Sequence, residues 1–254
     1  MSLNIEQLLN SYPRKRPEIS KEAQIIYEKE YMLNRNRETF ITRMVDRLES
    51  WMHKKTSIAS GTPVLELGAG TLNHLKYEIS LTNYDIVEPF ESLFEQGQDI
   101  KKIRNIYRSV AQVPDDLFYE RIISIATLEH MIDLPLDICI AARHLSEGGL
   151  FQAGIPTEGG LLWGMAWRFS TGISYRIRTG LSYKDLMRHE HINNAQEILL
   201  IINNFFRKVR VMRFPLPLFH ISFYTYIEAE EPIEDCILTY LESRKESNAE
   251  DHQQ

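Results

Sequence analysis

The stretch Pro63-Val64-Leu65-Glu66-Leu67-Gly68-Ala69-Gly70-Thr71-Leu72-Asn73-His74 constrains this chain more than any other. Val64, Leu65 and Leu67 suit a short strand covered on both faces, as in a parallel sheet. Gly68 and Gly70 let the backbone turn tightly and approach a ligand with no Cβ in the way. Glu66 is an acid near the strand's end, where open α/β sheets gather their ligands. The next predicted strand, in Tyr84-Asp85-Ile86-Val87-Glu88-Pro89, also closes on an acid. A glycine turn followed by a strand-end acid describes a nucleoside-binding crevice.

Downstream, short apolar strands alternate with helical patterns. Strands are predicted over 83–88, 104–108, 120–125 and 150–155, and helices over 72–78, 90–98 and 134–145, the last stopped by Glu147-Gly148-Gly149. Such alternation predicts a right-handed, mostly parallel sheet. Asn194 is placed to cap a helix over 195–206. The segments 208–214 and 220–228 read as two strands joined by a link too short for a crossover, so they must run antiparallel. Upstream, residues 4–11 predict a short helix. Residues 19–55 predict two more, broken near Asn34-Arg35-Asn36, as a cap over the sheet. The fold class is therefore α/β: a Rossmann-like, doubly wound sheet of seven strands, mostly parallel, with an antiparallel C-terminal pair and a helical N-terminal cap over 1–56. The polar tail 243–254 is expected to be disordered.

The 254 residues, 43% hydrophobic and 25% charged, accommodate one large domain with extensions. A net charge of -6 argues against a general nucleic-acid coat. The basic residues Arg14, Lys15, Arg16, Arg35 and Arg37 form either a solvated helical face or a contact for an anionic partner. Cys139 and Cys236 show neither metal spacing nor a disulfide framework. No signal peptide and no apolar run of about 18 residues is visible. A cytoplasmic protein without a membrane span is the expectation, and oligomeric state stays open.

With these elements in order, the chain from about 60 to 230 resembles the class I S-adenosylmethionine-dependent methyltransferases. The resemblance rests on Glu66-Leu67-Gly68-Ala69-Gly70, on Glu88 ending strand two, on Val113-Pro114 before strand four and on Ser124-Ile125-Ala126-Thr127-Leu128-Glu129-His130. Gly148-Gly149-Leu150 and the closing antiparallel pair also match. The cap and the His-Glu-His segment resemble methyltransferases of bacterial surface-polysaccharide clusters. The resemblance implies a methyltransferase domain over 57–242 with an acceptor-pocket insertion over 157–194. It implies S-adenosylmethionine as cofactor, bound by Glu66, Gly68, Ala69 and Gly70, by Glu88 and Pro89, by Ser109 and Val110, and by Ile125 and Ala126. Glu88 would accept hydrogen bonds from the ribose hydroxyls. Two departures stand out: Leu72 occupies the place of a frequent third glycine, and Ser109 that of an adenine-binding acid.

Methyl transfer to a hydroxyl calls for a general base. His130, after strand four, is either that base or a cap and packing residue for the following helix. His189 and His191, two apart, share one side of an extended segment. They serve as base, as substrate contacts or as half a metal site. Some relatives bind a metal through acids upstream of the Glu-His pair; here Ser124, Ile125 and Ala126 stand there, so no metal is expected. Trp163 and Trp167 belong either to a lid helix or to an apolar acceptor wall. With Arg168, Arg176, Arg178, Lys184 and Arg188 nearby, an anionic acceptor such as a nucleotide- or lipid-linked sugar is the expectation. Two other functions compete. An NAD(P)-dependent oxidoreductase shares the glycine turn, but Asn73 stands at its third glycine. A non-catalytic cofactor-binding protein would need none of the histidines.

Overall fold

The computed structural model describes residues 4–20, 26, 40–95, 97–162, 164–165, 175–176, 179–180 and 183–251. After helix α1 (Ile5–Leu9) comes α2 (Phe40–Thr56), then strands β1 (Val64–Leu67), β2 (Tyr84–Val87), β3 (Asn105–Tyr107) and β4 (Tyr119–Ile125). Helix α3 (Leu134–Arg143) leads into β5 (Leu145–Pro156), and helices α4 (Tyr183–Glu190) and α5 (Ala195–Phe205) lead into β6 (Phe206–Pro215), β7 (Ser222–Pro232) and α6 (Glu234–Asp251). The seven strands form one sheet in the order β3-β2-β1-β4-β5-β7-β6. The first five run parallel, and β7 pairs antiparallel with both β5 and β6.

Neighbouring residues of a strand point to opposite faces, so continuous apolar runs need cover on both sides. Leu65, Ile122, Phe151 and Ala153 meet Ile138 and Cys139 of α3 and Ile198, Ile201 and Ile202 of α5. Val64, Ile86 and Ile123 pack with Leu72, Leu75 and Phe94 from the β1–β2 and β2–β3 connections. Met52 of α2 lies over Ile125 and Tyr224. A Cβ on Gly154 would sit 2.8 Å from the Met52 Cβ, so glycine at that point of β5 sets how closely α2 approaches the sheet.

Two predicted helices are corrected. Over 72–78 only Leu75–Tyr77 forms a turn of 3-10 helix, and over 90–98 there are two such turns, Glu91–Leu93 and Gln98–Lys102, separated by extended Gly97. Leu72 has φ 63, in the left-handed region, which prevents an α-helix from starting at the glycine turn. Glu78 is then pulled out of any helix by Arg121 of β4. The predicted stop at Glu147-Gly148-Gly149 is also relocated. Helix α3 ends at Arg143, and residues 146–149 bulge between the pairs Tyr119–Leu145 and Arg121–Leu150. The tail after Ser243 continues α6 to Asp251, where disorder was expected. Arg244 anchors it by donating to the Tyr12 carbonyl and to Asp133.

Asn194 caps α5 as predicted: its side chain accepts from the backbone of Gln196 and Glu197, and Glu197 accepts from the Asn194 N–H in return. Asn194→Ala is expected to cost about 1 kcal/mol, read as a fall of about 2–4 °C in the thermal midpoint.

Candidate active site

In the strand order β2-β1-β4-β5, the chain changes direction of growth between β1 and β4. That is where an open α/β sheet leaves a crevice beyond its strand ends. The glycine turn after β1 and the segment after β4 face each other there. The Thr127 hydroxyl donates to the Gly68 carbonyl at 3.2 Å, and the Gly68 N–H donates to the Val87 carbonyl at 2.8 Å. A Cβ at Gly68 would fall 2.2 Å from the Thr127 methyl, so the approach itself requires glycine. At Gly70 a Cβ would meet nothing within 4 Å. Glycine serves there because φ is 51, and the backbone borders open space.

Glu88, 4% exposed, ties the turn to β2. One carboxylate oxygen accepts from the Gly70 N–H at 2.7 Å and the other from the Phe90 N–H at 3.0 Å. Each oxygen keeps a second lone pair for a ligand. Glu66 lies behind the turn, buried, and accepts from the Tyr84 hydroxyl at 2.8 Å. Burial pushes its carboxyl up to about 7, against the opposing pull of His74 and the Tyr84 hydroxyl. Ala69 is buried and Pro89 exposed at the rim. Ser109 is exposed and starts the turn Val110–Gln112, with Val110 buried beneath it. Ile125 ends β4, and Ala126, at φ 51, donates its N–H to the Gly154 carbonyl at 2.7 Å. The predicted cofactor residues thus gather along the ends of β1, β2, β3 and β4.

Across the crevice, two of the three predicted histidines come together. His130 ends the turn Leu128–His130, and its ring meets that of His191 edge-on with centroids 4.6 Å apart. His130 Nδ1 donates to the Glu190 carbonyl at 2.8 Å. His191 Nδ1 is bonded to the Glu158 carboxylate. Burial, reinforced by neighbouring His191, lowers the His130 pKa to about 4. Burial opposes charge on His191 too, but the Glu158 bond and the fields of Glu158, Glu129 and Glu190 outweigh it, so its pKa is raised. His189 is corrected. It lies in the last turn of α4, not in an extended segment, and its Nδ1 is bonded to the Pro17 carbonyl at 2.7 Å. Its Nε2 lies 3.8 Å from one oxygen of the Glu190 carboxylate, whose other oxygen lies 3.7 Å from His130 Nδ1.

Glu129 is 2% exposed, and burial raises its carboxyl pKa to about 7. Its backbone carbonyl accepts from Ile192 and Asn193. The buried Asn193 side chain donates to the Leu128 and Met131 carbonyls and accepts from the Tyr12 hydroxyl. This staple holds the His191 segment to the turn carrying Glu129 and His130. Sequence reading missed Asn193 and Glu158. The available signal for Glu158 was its position, an acid just past the end of β5. Arg14 pairs with Glu197, and Arg16 with Glu190 and the His130 carbonyl. These two cations are therefore engaged inside the chain and do not form a free anion-binding face. Arg35, Arg37, Trp163, Trp167, Arg168, Phe169 and Arg178 lie outside the described residues. Among the described residues no helix is long and apolar enough to cross a membrane.

No protein-family model matches the chain. Over 114 residues it is 28% identical to a malonyl-[acyl-carrier protein] O-methyltransferase of Bacillus cytotoxicus. That match takes in 42% of this chain and 40% of the relative, so it spans about two fifths of the relative's length. A Thermotoga maritima S-adenosylmethionine-dependent methyltransferase, described as a possible histamine N-methyltransferase, superposes with a TM-score of 0.53 at 15% identity, over 80% of this chain and 95% of that one. The plantazolicin methyltransferase BpumL, solved with a monoazolic desmethyl-plantazolicin analogue and S-adenosylhomocysteine, superposes with a TM-score of 0.52 at 11% identity, over 89% of this chain and 97% of that one. The chain thus has the fold of the class I S-adenosylmethionine-dependent methyltransferases and, over the matched segment, sequence kinship with an O-methyltransferase.

Proposed function

We propose that this protein transfers the methyl group of S-adenosylmethionine to a hydroxyl of a small-molecule acceptor, of the sugar or glycoconjugate-precursor class. The observation that carries the reading is the pairing of the two halves of the crevice. On one side the Gly68–Gly70 turn is held by Glu88 beside open space; on the other stands the group Glu129, His130, His191 and Glu158.

The donor, when bound, supplies an electrophilic methyl on a sulfonium with a neutral leaving group. The chain's part is to position, to exclude water and to make the acceptor nucleophilic. Glu88 offers its two remaining lone pairs to the ribose diol, while the Gly70 and Phe90 N–H groups fix the carboxylate's orientation. Gly70 keeps the wall beside the open space free of a Cβ atom, and Gly68 lets Thr127 close against the turn. Glu66 supplies negative charge beneath the turn for the cofactor's ammonium, directly or through water. On this reading the imidazole–carboxylate group takes the proton of the acceptor hydroxyl, so a hydroxyl suits this site better than an amine that is already nucleophilic. Ser109 remains a weak replacement for an acid at the adenine, so the Val110 backbone is the contact assigned there.

Calorimetric titration separates this reading from an oxidoreductase: S-adenosylhomocysteine is expected to bind and NADH is not. Methyl transfer from labelled donor to hydroxyl, amine and carboxylate acceptors separates it from a non-catalytic binder. Glu66 adds a pH signature. With its carboxyl near 7 in the free protein, the charged form needed by the ammonium is lost as pH falls. Binding is expected to be about tenfold weaker at pH 6 than at pH 8, one pKa unit corresponding to a factor of ten. Glu66→Gln should flatten that dependence. A flat wild-type profile would remove Glu66 from the ammonium contact.

A further inference from the structure

We infer that Glu129, His130 and His191 form a binding site for one divalent first-row transition ion, placed on the acceptor side of the crevice. Among the described residues, one ligand atom from each of the three lies within 4.8 Å of the others. Ions of this class bind imidazole and carboxylate at about 2.0–2.2 Å. Three ligands of one ion are then about 3.3–3.8 Å apart, at tetrahedral or trigonal angles, so side-chain movements of roughly 1 Å would close the site.

Three further observations point to a cation. First, both imidazoles are oriented for ligation. A carbonyl only accepts, so His130 Nδ1, bonded to the Glu190 carbonyl, carries hydrogen and leaves Nε2 with a free lone pair. The Glu158 carboxylate holds His191 Nδ1 in the same way. Outer carbonyl and carboxylate partners of this kind fix the tautomer of metal-ligating histidines. Second, Glu129 Oε2 is buried with no hydrogen-bond partner among the described residues. An unsatisfied buried carboxylate oxygen is costly, and a bound cation supplies its partner. Third, the three donors are fixed relative to one another by the Asn193 staple. The expectation of no metal rested on Ser124, Ile125 and Ala126 upstream of Glu129. The third ligand comes instead from His191, on the far side of the 157–194 connection.

Two nitrogens and one carboxylate oxygen suit zinc, iron(II), cobalt(II) or manganese(II) better than magnesium or calcium, which prefer oxygen ligands alone. Three protein ligands leave positions for water or an acceptor. Resting on the methyltransferase reading above, the ion would lower the pKa of a coordinated acceptor hydroxyl. Its proton leaves to bulk water, the acceptor oxygen bonds to the methyl carbon, and the carbon–sulfur bond breaks to give the neutral thioether.

The test uses the full chain, stripped with chelator and titrated with cobalt(II), read by its visible d–d absorption and by calorimetry. One equivalent is expected to bind. His130→Ala and His191→Ala should each weaken binding at least 100-fold, and Glu158→Gln, which only loosens His191, by about 10–100-fold. Circular dichroism and S-adenosylhomocysteine binding check that the variants are folded. No wild-type binding of cobalt(II), zinc or manganese(II), or equal binding by the His130→Ala/His191→Ala double variant, overturns the site. The two readings fail separately. Cobalt binding without S-adenosylhomocysteine binding keeps the ion site and removes the methyltransferase reading, whereas full methyl transfer by metal-free protein removes the ion from the reaction.

Discussion

Glu88→Ala is expected to weaken S-adenosylhomocysteine binding by about 100-fold or more while the protein stays folded. Two losses combine. The carboxylate is the proposed partner of the ribose diol, and hydrogen bonds to a charged group contribute about 1.5–3 kcal/mol each. It also holds the turn in shape, because the Gly70 and Phe90 N–H groups both point at it. Losing about 3 kcal/mol corresponds to roughly two orders of magnitude in affinity. Glu88→Gln is not expected to rescue. Its amide nitrogen would turn N–H toward either the Gly70 or the Phe90 N–H, so one donor faces another. Glu88→Ala binding within threefold of wild type, measured by calorimetry on protein with an unchanged thermal midpoint, would place the ribose elsewhere.

The legible part of this chain is the part in which local sequence and tertiary role agree. The run from Val64 to Gly70 is strand and turn by composition alone, and nothing distant contradicts it. Asn194 with Glu197 is a local cap and forms as read. The 208–228 segments can only be antiparallel, whatever surrounds them. The failures are places where a distant partner decides. Residues 72–78 carry a helical pattern, but Leu72 adopts a left-handed backbone and Glu78 is drawn to Arg121, forty-three positions away in sequence. His189 and His191 look equivalent two apart, yet a helix ends between them at Glu190, and it is the His191 ring that packs edge-on against His130. Glu158 carries no motif. Its role exists only because β5 delivers it to a ring that arrives from the other side of the connection.

The largest expected loss of stability lies beneath the glycine turn. Glu78→Ala is expected to destabilise the protein by about 3–5 kcal/mol, the usual consequence of leaving one member of a buried ion pair alone. The side chains of Glu78 and Arg121 are each only 3% exposed. Arg121 donates to both Glu78 oxygens at 2.8 and 2.9 Å, to the Thr56 carbonyl at the end of α2, and to Gln152 of β5. Glu78 in turn accepts from His74 Nε2 at 2.7 Å, and His74 Nδ1 lies 3.0 Å from His53 Nδ1 on α2. His74 donates to Glu78 through Nε2, and a single proton joins its Nδ1 to the Nδ1 of His53. Burial first, then His74, holds the His53 pKa down to about 3, consistent with a neutral ring. Removing Glu78 leaves a guanidinium without countercharge and an imidazole N–H without an acceptor, both under the segment that shapes the crevice. In thermal denaturation the midpoint should fall by about 6–20 °C. Arg121→Met alone should be comparably damaging, because it strands the Glu78 carboxylate. The pair Glu78→Leu/Arg121→Met should lose clearly less than the sum of the single changes, since apolar replacement of both partners removes the buried charges together. Additive losses in that double-mutant cycle would mean that the two side chains stabilise the fold independently and that the network does not act as a unit.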